Sequence, residues 1–223
     1  MITKLYPVIH YQDDATMLDN AAMAVEAGVA GVFLIQHGGL DHLLNDAFSL
    51  LRQKFPMLRV GVNRLSTDPE VAVRQDMAIG ANFSWLDSCG IHSGVVHPTA
   101  WAPSNLVKAY QNNCPEYRLF GSVAFKYQPI DIRPDMSARM AVECGFIPTT
   151  SGSATGVAAD IEKICDMCAV VGRDQLALAS GITAENAPVY VPYVQHLLVS
   201  TGISKSFHQF DAEKLKALMK AIT

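Results

Sequence analysis

Charge is scarce in this chain: 17% of its 223 residues are charged, and they sum to a net charge of −4. So thin and slightly acidic a balance offers no basic surface of the kind a phosphate backbone requires, which excludes nucleic acid as a partner. Long apolar runs are also missing. The best candidate, residues 21–35, is broken by Glu26 and by glycines, short of the ~20 apolar residues of a membrane span, so no membrane partner is expected. Residues 1–9 are too few and too soon interrupted by Pro7 for a secretory signal, and the cytoplasm is the expected location. The five cysteines form an odd set that fits a reducing compartment better than a disulfide framework. No Pro/Gly/Ser linker, charge block or low-complexity tract divides the sequence, so 1–223 is expected to be one domain. Half of the residues are hydrophobic, enough for a single large core.

What is present is a strand-then-helix alternation repeated about eight times. Strand-like runs lie at 5–10, 30–36, 58–63, 82–86, 117–126, 146–150, 176–180 and 197–200. Segment 14–27 carries Met17, Leu18, Ala21, Ala22 and Val25 at helical spacing and stops at Gly28. Segment 40–55 places Leu43, Leu44, Phe48 and Leu51 on one face and stops at Pro56. Asp68-Pro69 opens the third helix as a cap followed by a first-turn proline. Segments 160–171 and 211–222 supply the sixth and eighth. The seventh is weak, because Pro188 and Pro192 interrupt 186–194. Eight units average about 28 residues each, near the low end for a (β/α)₈ TIM barrel. An open doubly wound sheet would place glycines after its first strand, and the turn here, Tyr11-Gln12-Asp13-Asp14, has none. The expected fold is α/β, a single-domain (β/α)₈ barrel.

Such barrels carry their active sites at the C-terminal ends of the strands. Almost every expected strand ends there in a polar residue: His10, Gln36 with His37, Asn63, Asp87, Lys126, Thr150 with Ser151, Ser180, and Ser200 with Thr201. Three of these ends run into hydroxyl and glycine residues, at Ser151-Gly152, Ser180-Gly181 and Ser200-Thr201-Gly202. Small residues leave backbone N–H groups uncovered with hydroxyls beside them, a chemistry suited to phosphate. These seven residues, with Gln36, form the expected phosphate and substrate set, and the expected ligand is a phosphorylated small molecule.

The catalytic candidates are Lys126, Asp87, Asn63 and His10. Lys126 closes the apolar run Val123-Ala124-Phe125, so its amine is expected in the barrel mouth. It either stays charged against an anion or, partly desolvated, serves as a Schiff-base nucleophile. Charge stabilisation is preferred, because the sequence sets no carboxylate beside it. Asp87, after Trp85-Leu86, suits a general base, a ribose-diol contact, or Mg²⁺ held through water. Asn63 suits a substrate hydrogen bond, and His10 either acid–base work or a satisfied place at the barrel floor. Segment 88–97 reads as a lid bringing in His92 or His97, with Cys89 the thiol to test for reactivity. Cys165 and Cys168 form a CxxC, but they share an amphipathic helix with Ile161, Ile164 and Val171. No second Cys or His pair follows, so core packing is expected and no metal-ligand set is assigned. No organic-cofactor motif stands out. The apolar, proline-rich stretch 188–194 suggests a contact surface of a homo-oligomer.

A series of motifs points to a family. It runs Val60-Gly61-Val62-Asn63-Arg64-Leu65-Ser66-Thr67-Asp68-Pro69 with Gly80-Ala81-Asn82-Phe83, then Ala124-Phe125-Lys126-Tyr127-Gln128-Pro129. Next come Thr149-Thr150-Ser151-Gly152-Ser153-Ala154-Thr155-Gly156 with Asp160-Ile161-Glu162-Lys163, Ser180-Gly181-Ile182-Thr183 with Asn186, and Ser200-Thr201-Gly202 with Lys205. In order and across nearly the whole chain this series resembles the BtpA family. Gln36-His37 stands where that family usually shows Glu-Asn, and Ser66-Thr67 where it shows Arg-Asn, as in a divergent member. The resemblance implies a phosphate-binding TIM-like barrel. The expected function is glycosyl or phosphoribosyl transfer, or hydrolysis, on a phosphorylated sugar or nucleotide. Two alternatives stand beside it: a Schiff-base aldolase or sugar-phosphate isomerase using Lys126, and a non-catalytic ligand-binding or assembly factor.

Overall fold

A computed structural model describes residues 2–223. Ten strands run through them: β1 (Lys4–His10), β2 (Val32–Ile35), β3 (Val60–Asn63), β4 (Phe83–Leu86), β5 (Ile91–His92), β6 (Val95–Val96), β7 (Arg118–Ser122), β8 (Ile147–Ser151), β9 (Ala177–Ala179) and β10 (His196–Val199). All but β5 and β6 are parallel and close into a barrel of eight. They pair in chain order and β10 returns to β1, with Lys4 opposite His196 and Pro7 opposite Val199. Around them lie α1 (Asp14–Glu26), α2 (Leu43–Lys54), α3 (Pro69–Ala78), α4 (Trp101–Gln111), α5 (Pro134–Glu143), α6 (Ile161–Val171), α7 (Ala187–Tyr190) and α8 (Ala212–Ile222). The (β/α)₈ barrel expected from the sequence is the fold observed. Among the described residues no helix is long and apolar enough to cross a membrane.

Alternation along each strand splits the core in two. Inward-facing Tyr6, Phe33, Phe83 and Phe120 fill the barrel with edge-on ring contacts, the pair Tyr6–Phe83 having centroids 5.3 Å apart at 84°. Residues of the opposite parity, such as Leu5, Ile9, Leu34, Val62 and Leu197, pack outward against the helices. Aspartates start the helices: Asp13, Asp68, Asp160 and Asp211 each accept a backbone N–H of the first turn. Asp68 is thus the helix cap read from Asp-Pro. The weak seventh helix is a single turn of four residues.

Three expectations are corrected. Segment 88–97 is no lid, because it folds as the antiparallel hairpin of β5 and β6. The Gly94 amide ties that hairpin to Ser137 Oγ of α5 at 2.9 Å, and the ring of His97 accepts from the Thr99 amide. Cys89 is fully enclosed, its thiol donating to the Ser122 carbonyl at 3.3 Å, and burial pushes its pKa up to about 12. A thiol so placed has almost no thiolate to react. The strand expected to run to Lys126 ends at Ser122 instead, where Ala124 and Tyr127 take left-handed backbone angles (φ +46° and +64°). Lys126 therefore sits in a turn. Cys165 and Cys168 are half-buried free thiols on α6, beside the buried Ile164 and Met167.

Candidate functional site

A cavity of about 320 Å³ opens at the C-terminal ends of the barrel strands. Its floor is apolar, formed by Val8, Ile35, Trp85, Phe125 and Leu198. Polar groups stand above it in four quarters set by strand order.

The β1–β2 quarter carries His10 and His37. Parity places them: His37 continues the inward series Phe33, Ile35, while Gln36 continues the outward one with Leu34. His10 Nδ1 and His37 Nε2 are 2.8 Å apart with the rings nearly parallel. Phe207, from the loop before α8, lies against both rings, its centroid 4.4 Å from that of His10. Burial, aided by the neighbouring His37, His208 and Lys126, drops the His10 pKa to about 3. His37 is lowered as well, chiefly by burial. His10 is therefore neutral in ordinary buffers.

On β3–β4, Asn63 Nδ2 donates to Asp87 Oδ1 at 2.9 Å. Asn63 is 1% exposed and its Oδ1 is buried with no hydrogen-bond partner. Asp87 lines the mouth, where the surrounding walls strip hydration and raise its carboxyl pKa. The hydrogen bond from Asn63 and the Lys126 charge oppose that rise.

The β7–β8 quarter holds Lys126, Tyr127 and Thr155. Lys126 Nζ donates to Thr155 Oγ1 at 3.2 Å and lies 5.5 Å from the Phe125 ring centroid. Burial lowers its pKa, while Asp87 and Tyr127 push the other way. Asp87 is thus the carboxylate beside Lys126 that the sequence does not disclose. The turn is braced from below: Thr150 Oγ1 and Lys163 Nζ both donate to the Ala124 carbonyl, and Lys163 also reaches the Ser151 carbonyl at 2.6 Å. Nothing in the sequence marks Lys163 as a support of the site, because it lies on α6, remote from every strand end.

The β9–β10 quarter carries Ser180, Ser200 and Thr201, all in the cavity wall. The amides of Gly181, Ile182, Thr201 and Gly202 donate to no acceptor among the described residues. Gly181 (φ +68°) and Gly202 are glycine because neighbouring backbone passes over them: an added Cβ would meet Val157 O at 2.1 Å and Ile182 O at 1.8 Å. Gly152 is closed by Val157 O in the same way. Gly181 and Ile182 are buried, so the unbonded amides left accessible here are those of exposed Thr201 and half-buried Gly202, and beside the Ser200 and Thr201 hydroxyls they are suited to an anion.

Ten of the twelve expected residues thus belong to this mouth or its immediate supports. Two take other roles. The Gln36 side chain accepts from the Leu40 amide at 3.0 Å, fixing the β2–α2 loop behind the wall. Ser151 is wholly buried, accepting from the Lys126 amide at 2.8 Å and donating to Gly152 O. Neither lines the cavity. His37, Tyr127, Thr155 and Phe207 do, and lie outside the expected set. No cluster of three or more metal-ligating side chains occurs among the described residues.

No protein-family model matches the chain, and no curated protein matches it. Solved structures of the same fold do. KGPDC from Streptococcus mutans superposes with a TM-score of 0.72 at 13% identity, covering 99% of this chain and 98% of that one. 3-Hexulose-6-phosphate synthase gives 0.70 at 15%, covering 99% and 100%. Phosphoribosyl anthranilate isomerase from Thermus thermophilus gives 0.64 at 16%, covering 98% and 97%. At such identities the likeness is one of fold.

Proposed function

We propose that this protein is a barrel enzyme acting on a phosphorylated sugar or nucleotide, by glycosyl or phosphoribosyl transfer or hydrolysis. One observation carries the reading: the hydroxyls of Ser180, Ser200 and Thr201, with the unbonded Thr201 amide, line the cavity at β9–β10 across from Asp87 at the end of β4, which Asn63 holds. A phosphate at the first wall sets the sugar among the polar groups that stand above the apolar floor, with its reacting carbon toward Asp87 and Lys126. The phosphorylated compounds in the names of two structural neighbours, and the BtpA resemblance of the motifs, agree with a phosphorylated ligand.

Each group has a part. Asp87, whose pKa burial raises, is the carboxyl placed to exchange a proton with a leaving group. Asn63 orients that carboxyl through its hydrogen bond. Lys126 stabilises negative charge as it develops. Neutral His10, linked to His37, offers the incoming nucleophile a hydrogen bond that orients it.

Thermal-shift titration with ribose 5-phosphate, glucose 6-phosphate, nucleotides and phosphoribosyl pyrophosphate tests the reading, with unphosphorylated ribose as control. Stabilisation is expected only from phosphorylated compounds, and it should be lost in Thr201→Trp. No stabilisation by any of them would overturn it.

A second reading rests on Lys126 itself. Its amine lies near the Phe125 ring with a burial-lowered pKa, and Asp87 shares its cavity. Such an amine can add to a substrate carbonyl with loss of water, Asp87 supplying the proton. Borohydride trapping of a bound ketose phosphate at Lys126 is expected if this chemistry operates. Turnover without trapping removes it.

A further inference from the structure

We propose that the ligand of this cavity carries a planar heteroaromatic ring beside its phosphorylated sugar, as in a nucleoside monophosphate, and that the ring lies on Phe207. The inference rests on the phosphate-sugar reading above and narrows its substrate class.

Phe207 is the starting point. It is 52% exposed, yet it is held firmly in place. Its loop closes as a small hairpin, with Ser204 bridged to Phe210 and the Lys205 amide bonded to Gln209 O at 3.0 Å. His208 beside it pairs its Nδ1 with the His10 carbonyl at 2.9 Å. Buried Asn20 clamps the far side, donating to His208 O at 2.7 Å and accepting from the Phe210 amide at 2.9 Å. A large ring fixed in solvent at a cavity rim loses little entropy on binding and offers a ready apolar face.

The surroundings fit a flat ring better than a bare polyol. His10 and His37 lie side by side 12° from parallel, and Phe207 leans over them at 44° and 56°, so the three rings form an aromatic corner. His37 uses Nε2 on His10, which leaves Nδ1 for the edge of a heterocycle. Tyr127, 78% exposed and held in a left-handed backbone conformation, stands on the β7–β8 side, across the barrel from β1–β2. Sugar hydroxyls pressed into a floor of Val8, Ile35, Trp85, Phe125 and Leu198 would find few partners. An aromatic ring needs none over its faces.

Calorimetric titration decides the matter with five probes: ribose 5-phosphate and the 5′-monophosphates AMP, GMP, CMP and UMP. The wild type is expected to bind at least one nucleotide about tenfold more tightly than ribose 5-phosphate. Phe207→Ala should remove that advantage while leaving ribose 5-phosphate affinity unchanged, and Phe207→Tyr should keep it. Ribose 5-phosphate binding as tightly as every nucleotide would overturn this inference alone, and so would Phe207→Ala weakening all five probes equally. Binding of none of the five would overturn the phosphate site first and this inference with it. The wild-type comparison stands even if Phe207→Ala fails to fold.

Discussion

His10 and His37 share one hydrogen bond of 2.8 Å on the β1–β2 side of the barrel mouth, and burial keeps His10 uncharged to about pH 3. A bond between two neutral imidazoles fixes complementary tautomers, one ring donating and the other accepting. The pair can therefore hold a nucleophile by hydrogen bonding while His10 carries no charge. NMR titration should show no protonation of His10 between about pH 5 and 8. In His37→Ala the His10 pKa should rise, because one of the charges opposing its protonation is gone, yet stay below 6.5, because burial is the larger cause. A His10 that titrates near 6.5 in the intact protein would overturn this account of a neutral pair.

Acid sensitivity of the fold should come partly from the opposite end of the barrel. His196 is 5% exposed, lies 3.3 Å from the Tyr6 hydroxyl and packs edge-on to Phe120. Burial, with the nearby Lys4 charge, lowers its pKa to about 4. Above pH 6.5 neither the folded nor the unfolded chain holds the proton. Below it the unfolded chain gains a proton that the folded one refuses, so stability falls as pH drops from 6.5 towards 4. The slope for one withheld proton is about 1.4 kcal/mol per pH unit. Urea midpoints for wild type and His196→Gln should therefore converge as pH falls across that window. Parallel curves would show that His196 is not the group responsible.

Arg64 anchors the outer face of the site. Its guanidinium donates to Asp76 Oδ1 at 2.7 Å, Asn45 Oδ1 at 2.7 Å and the Asp41 carbonyl at 3.1 Å, and the side chains of Arg64 and Asp76 are at most 2% exposed. Removing one member leaves the other charge buried and unpaired. Arg64→Met is expected to cost about 3–5 kcal/mol in chemical denaturation, and adding Asp76→Asn should recover part of it. A double variant no more stable than Arg64→Met would contradict this account.

The barrel was legible because its signals are local and repeated. Each inward or outward side chain follows from period two, and Asp13, Asp68, Asp160 and Asp211 mark helix starts without tertiary help. The site was legible only as far as strand ends could be located. Gln36 and His37 are neighbours in sequence, and only the exact register says which faces the cavity. Lys126 lies beyond its strand, because the left-handed turn at Ala124 has no glycine to announce it. Phe207 and Lys163 reach the site through folds of the chain that no spacing encodes. Segment 88–97 reads as a lid, yet Gly90 and Gly94 serve the turns of a packed hairpin.

The loops at β9–β10 supply a test of what glycine does there. Gly28 has a left-handed backbone (φ +71°) with open space around it, whereas Gly202 has no such angle but Ile182 O stands 1.8 Å from where its Cβ would be. Conformation predicts that Gly28→Ala is the worse change; close approach predicts Gly202→Ala. An isolated left-handed alanine costs about 1–2 kcal/mol. A backbone atom cannot yield as a flexible side chain does, so Gly202→Ala must push apart the loops that follow β9 and β10. It is expected to lower stability more than Gly28→Ala in thermal denaturation and to weaken ribose 5-phosphate binding, which Gly28→Ala should leave intact. If Gly202→Ala binds that ligand like the wild type, the unbonded amides at Thr201 and Gly202 are not part of an anion site.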